Sequence, residues 1–187
     1  MSVYTRFILP ALAVGLFAVS HPSLAVGQET QADHLKDEAD EANAQAVIAR
    51  FKEKDPEMAE IFDKAAGYAV FPTVAKGAVG VGGARGKGMV YEAGKLIGRS
   101  TLTQVSIGFQ LGGQAYSEVV FFHTKEALKN FKTGRLKVDA QASAVALKER
   151  ASGDLPYREG VAIVTMSKGG LMYEASVGGQ KFSFKPI

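Results

Sequence analysis

The chain has 187 residues, 47% of them apolar and 22% charged, with 21 glycines, no cysteine and a formal net charge of +3. This balance describes a globular protein with a core of its own. The missing cysteines exclude disulfides, thiolate chemistry and an acylated lipoprotein cysteine. The net charge conceals an asymmetry: residues 26–64 hold eleven Asp/Glu against five Lys/Arg, and residues 65–135 hold nine Lys/Arg against three Asp/Glu. An acidic segment thus precedes a basic one, as expected for an anionic partner, for pairing within the molecule, or for a solvated surface of mixed sign.

Residues 1–25 read as a secretory signal peptide. Arg6 lies near the free amine, Ile8 to Val19 is apolar, and Ser23-Leu24-Ala25 places small residues where a signal peptidase reads them. The apolar run falls short of the ~20 residues that span a bilayer. Cleavage after Ala25 would leave an exported, periplasmic chain, and the lone Arg6 argues against a twin-arginine route.

Residues 26–54 form an acidic segment, partly helical. Val26 to Ala32 reads as frayed; from Asp33 the residues Leu35, Ala39, Ala42, Ala46 and Ala49 recur at helical spacing, and Val47, Ile48 and Phe51 widen the apolar face. A second helix is capped by Asp55 with Pro56 at its first position. Its inward stripe is Met58, Ile61, Phe62 and Ala65, and Gly67 is expected to stop it in a left-handed conformation. The period then changes. "YAVFP" reads as a short apolar run ended by Pro72, as for an edge strand or a strand end. Strand, turn and strand follow, with the turn at Ala93-Gly94-Lys95. A long alternating strand carries Thr101, Thr103, Val105, Ile107, Phe109 and Leu111 on one parity, and "AYSEVVFF" is a further strand. Thr124 caps a short helix with Leu128 and Phe131 inward and Gly134 as its stop. Residues 136–146 alternate with small residues on one face, and further strands and turns end the chain. The fold class is α+β: a curved, mostly antiparallel, glycine-rich sheet with N-terminal helices and one short helix between strands.

The stretch "KGAVGVGGARGKGMVYEAGK", residues 76–95, tests nucleotide binding and fails. Gly80 and Gly82 lead to Arg85 rather than glycine, Gly86-Lys87 is followed by Gly88, and no helix follows. Two uses remain open. The glycines permit bends and close backbone approach in a sheet, or they form an anion-binding nest beside Lys76, Arg85 and Lys87.

No catalytic or metal-ligating set is expected. His34 and His123 are far apart in the chain, and the cluster from Asp33 to Glu41 lacks the glycine and spacing of a calcium loop. Glu92 and Glu174 recur in two similar segments and read as structural, cross-strand partners of lysine rather than a carboxylate pair. No cofactor is expected.

"KAAGYAVFPTVAKGAVGVGGARGKGMVY" followed by "SIGFQLGGQAYSEVVFF" resembles the SYLF domain family. The likeness extends from about Asp55 to Phe184, so residues 55–187 are taken as the domain. The chain departs from the family at Ala146 to Arg150, where a glycine is common. The resemblance implies a phospholipid-binding module and not an enzyme. Eukaryotic relatives accompany membrane and actin regulation; an exported chain would keep only the lipid part. The expected partner is therefore an anionic phospholipid membrane, not nucleic acid, with Lys76, Arg85 and Lys87 as the lipid-binding residues. A structural module that binds a cell-envelope protein is the alternative, and a small-ligand carrier a third reading.

Overall fold

The computed structural model describes residues 23–79, 81–107, 112–136, 155, 157–167, 170–172 and 179–187. The expected signal peptide up to residue 22, the alternating segment from residue 137 on and Glu174 lie outside them. Two compact units divide the chain, residues 1–35 and 36–187. Of the first, the described part is the opening of helix α1, Ser23–Lys54. The second holds the rest of α1, helix α2 (Glu57–Lys64), helix α3 (Lys125–Lys132) and seven strands. These are β1 (Gly67–Val79), β2 (Val81–Glu92), β3 (Lys95–Ile107), β4 (Gly112–Phe122), β5 (Val161–Ser167), β6 (Gly170–Met172) and β7 (Gln180–Pro186).

The strands form one antiparallel sheet in the order β6-β5-β4-β1-β2-β3-β7. With helices on its flanks, the α+β expectation is borne out. Strand β1 is central rather than an edge strand, and it continues through Pro72 to Val79. The missing proline N–H is tolerated because the register against both neighbours shifts there, between Val70 and Thr73 on one side and Phe71 and Val74 on the other.

The sheet is strongly curled. Strands β4 and β7 are separated by three others, a span of roughly 19 Å in a flat sheet. Gln180 Nε2 of β7 nevertheless donates to Glu118 Oε2 of β4 at 3.1 Å. The Phe71 and Phe182 rings, from β1 and β7, lie 5.8 Å apart. On this concave side Leu102, Val120, Phe122 and Ile163 pack with Leu128 and Phe131 of α3. Helix α3 is set by the expected cap, Ala127 N–H donating to Thr124 Oγ1 at 3.2 Å, and by Gly134 at φ +69°.

Curling also explains the glycines. A Cβ on Gly88 would stand 2.4 Å from the Val70 carbonyl oxygen and 2.6 Å from the Phe71 ring. Gly67 does not stop α2 in a left-handed conformation as expected. Ala65 ends that helix with an extended backbone, and Gly67 opens β1 where a Cβ would meet the Tyr91 carbonyl oxygen at 2.6 Å, with Leu128 of α3 at 3.0 Å. Close packing on the concave face is what these positions require.

The convex face holds the second core. Tyr68, Val70, Met89, Tyr91, Val119, Phe121 and Val164 pack against Met58 and Phe62 of α2 and Ala44, Val47, Ile48 and Phe51 of α1. Helix α2 keeps its expected stripe, and the Asp55 carboxylate accepts from Glu57 N–H at 3.0 Å. The stripe of α1 differs from expectation: Leu35, Ala39, Ala42, Ala46 and Ala49 face solvent. Phe51, Ile48 and Val47 bury far more apolar area than alanine, so they choose the inward face. Followed back one turn at a time, that face reaches Ala44, Glu41, Asp40 and Asp37.

Candidate functional site

Helices α1 and α2 cover only part of the convex face. Beyond the bulge, the outward residues of β1, β2, β3 and β7 are small, hydroxyl-bearing or basic. Strand register places them in rows: Ala75, Arg85, Thr103 and Lys181; then Thr73, Lys87, Thr101 and Ser183; then Arg99 and Lys185, which continue the row of the buried Val70 and Met89. Thr73, Ala75, Arg85, Lys87, Thr103, Lys181, Ser183 and Lys185 are exposed, and Arg99 and Thr101 are half-exposed. Neighbouring strands lie about 4.8 Å apart and alternate residues about 6.8 Å. Arg85, Lys87, Arg99, Lys181 and Lys185 therefore stand on a patch of roughly 10 by 14 Å. None of the residues in these three rows is acidic.

The alternation Arg85-Gly86-Lys87-Gly88 produces this arrangement within one strand. Glycines turn to the concave side, where Val74 and Phe71 press on them, and the cations turn outward. Lys76 is placed differently. Its partner across the hairpin is Ala84, which belongs to the concave core, and the register runs unbroken from Thr73 to Val79. Lys76 therefore lies on the face opposite Arg85 and Lys87, in the row of Gln104 and Gln180. Of the three residues singled out from sequence, the structure brings two together. It adds Arg99, Lys181 and Lys185. Period-two alternation in "KFSFK" carried the signal for the last two: Phe182 and Phe184 point inward, so Lys181 and Lys185 point out.

A cleft of about 740 Å³ runs between this face and α1, lined by Lys36, Asp40 and Asn43 of the helix and by Arg85, Lys87, Arg99 and Lys185 of the sheet. At its margin Arg99 Nη2 and Asp37 Oδ2 form an ion pair of 2.9 Å. Deeper under α1, Tyr91 stacks on Tyr68 with ring centres 5.1 Å apart and faces Gln45, whose amide reaches its hydroxyl at 3.3 Å. Burial, with Glu41 nearby, pushes the Tyr91 phenol up to about 12, against a smaller opposing effect of the Gln45 hydrogen bond. Its stack on Tyr68 within the convex core makes Tyr91 a packing residue.

The remaining sequence candidates have structural places. Glu92 pairs at 3.2 Å with Lys132, a lysine of α3 rather than the cross-strand one expected. His123 stacks on Tyr157 at the entry to α3, with ring centres 4.7 Å apart. Among the described residues no cluster of three or more His, Asp or Glu could hold a metal ion.

Residues 103–186 match the family described as Ysc84: Las17-binding protein actin regulator. The match is to the SYLF family that the sequence resembles. The matched region starts inside β3, while β1 and β2 lie between β3 and β4, so the matched strands share one sheet with residues before them. Beta cell expansion factor A of Aeromonas veronii is 28% identical to this chain over 142 residues, which cover 74% of this chain and 53% of that protein. The chain spans about half the length of that relative. Among the described residues no helix is long and apolar enough to cross a membrane.

Proposed function

We propose that this protein is a non-enzymatic binding module for anionic phospholipid membranes, exported by residues 1–25, with residues 55–187 as its SYLF domain. The observation that carries the reading is the open convex face, where Arg85, Lys87, Arg99, Lys181 and Lys185 share one patch among small and hydroxyl side chains. Small neighbours let a flat surface come close, and a rigid sheet holds the backbone under the cations in place, so that only their side chains are ordered on binding. Each basic residue near an anionic bilayer is worth about 1 kcal/mol. Arg85, Lys87, Lys181 and Lys185 together supply about 4 kcal/mol, on the order of a thousandfold in partition.

Partition of the full chain into vesicles of graded anionic content tests the reading. Binding should rise steeply with anionic fraction and fall from low salt to 0.5 M, where the field is screened within a few ångströms. Equal binding to neutral and anionic vesicles would overturn it. The family's description names a protein target, so a pulldown from lipid-free envelope extract belongs beside it. Capture there by the same cations, with no vesicle binding, would favour the protein-interaction reading.

A further inference from the structure

We infer that the acidic stretch of α1 from Asp37 to Asp40 is a built-in occupant of the anion site, which a membrane must displace to engage Arg99. The inference rests on the lipid-binding reading above and adds its regulation. Three observations carry it. The first is the pair itself. Asp37 meets Arg99 at 2.9 Å through one oxygen and one terminal nitrogen, while Asp37 Oδ1 and Arg99 Nε, both buried, make no hydrogen bond among the described residues. A guanidinium holds carboxylate or phosphate best through two parallel bonds. Here half of the Arg99 fork is unused, and an incoming headgroup oxygen pair could use all of it.

The second observation is how the helix is attached. The buried apolar residues of α1 begin at Ala44 and continue with Val47, Ile48 and Phe51. From Lys36 to Asn43 every residue is half-buried or exposed, and the Asp37–Arg99 pair is the ion pair between that stretch and the sheet among the described residues. Such a stretch opens at low cost, whereas the part from Ala44 onward opens only with the core. The third is position. Lys36, Asp40 and Asn43 form the helix wall of the cleft whose other wall carries Arg85, Lys87, Arg99 and Lys185. The carboxylates of Asp37 and Asp40 therefore sit where headgroup anions would come to rest. A vesicle surface that displaces them gains Arg99 and removes two like charges at once.

The test is partition of the full chain into vesicles of mixed neutral and anionic phospholipid, with hydrogen exchange followed in the bound and free protein. Asp37→Asn should bind about fivefold more tightly than wild type, the factor one elementary charge is worth near an anionic surface. Asp37→Asn with Asp40→Asn should gain about thirtyfold. Adding Arg99→Ala to Asp37→Asn should cancel the first gain. Amides of residues 36–43 should exchange faster on vesicles than in free protein, with residues 44–51 unchanged. Arg85→Ala with Lys87→Ala reports on the underlying reading. If that variant loses binding while Asp37→Asn binds like wild type or more weakly, the occluding role is overturned and the membrane site stands. If neither wild type nor any aspartate variant binds, both fall.

Discussion

The two faces of strand β2 and its neighbours give a sharp test, because Lys76, Arg85 and Lys87 are close in sequence and opposed in space. Consider Arg85→Ala with Lys87→Ala, beside Lys76→Ala alone. Arg85 and Lys87 are exposed on the convex face, where nothing buried depends on them, so the double change should alter stability by less than about 1 kcal/mol. At about 1 kcal/mol per cation their loss removes roughly 2 kcal/mol of membrane attraction, about thirtyfold in partition at low salt. Lys76 pairs with Ala84 and is half-buried on the concave side. With the sheet between it and the membrane, its loss should change partition by no more than about a factor of two. Sedimentation with sucrose-loaded anionic vesicles at low salt and at 0.5 M measures both, and the difference should vanish in high salt. Lys76→Ala weakening binding as much as the double change, or the double variant keeping wild-type partition, would refute the assignment of the convex face.

Two further outcomes test the packing. Gly88→Ala should destabilise the fold by about 1 to 3 kcal/mol, because the new methyl meets the fully buried Val70 and Phe71; Gly77→Ala, with nothing within 4 Å of the new methyl, should be neutral or stabilising by about 0.5 kcal/mol in urea unfolding. Equal effects of the two would mean that close approach is not why β2 carries glycine. Tyr91 holds its proton up to about pH 12 when folded but releases it near 10 when unfolded. Its stabilising share, at most about 2 to 3 kcal/mol, is therefore complete below pH 10 and lost as pH rises toward 12. Tyr91→Phe should be less stable than wild type at pH 8 yet lose less between pH 8 and 11.5, and an unchanged alkaline slope would contradict the burial of that phenol.

Local signals were legible where one residue sufficed to decide a conformation. Thr124 and Gly134 bracket α3 because a hydroxyl at an N-cap and a glycine at positive φ act within one turn. The stretch at Met58, Phe62 and Ala65 was legible because its side chains are large and evenly spaced. The signals misled where a distant partner decides. Pro72 signals an edge in isolation, and only a bulge registered against both neighbours lets it sit in the central strand. Gly67 ends a helical pattern in sequence, yet the Tyr91 carbonyl and Leu128 fix its identity. For α1, counting alanines gave the wrong face, since a few larger side chains outweigh them. The site was half legible. Arg85 and Lys87 share parity within one strand, but Arg99 and Lys185 become neighbours only through the pairing of β3 with β7.

Sheet curvature ties these results to one another. Side chains converge on the concave side of a curled sheet and spread on the convex side. Strand β2 meets both demands with one alternating pattern: glycine at 86 and 88 where Val74 and Phe71 crowd in, arginine and lysine at 85 and 87 where room increases outward. The same curl brings Phe182 of β7 to Phe71 of β1, which leaves Lys181 and Lys185 facing out beside Arg99. Spreading lowers the repulsion among the cations while no anion is present, and the carboxylate of Asp37 neutralises the one nearest α1. The acidic stretch at Asp37 and Asp40 and the basic rows of the sheet thus face one another. Helix α1 is held by its apolar residues from Ala44 on, and its stretch at Asp37 and Asp40 lies over a surface made basic by the packing that curls the sheet.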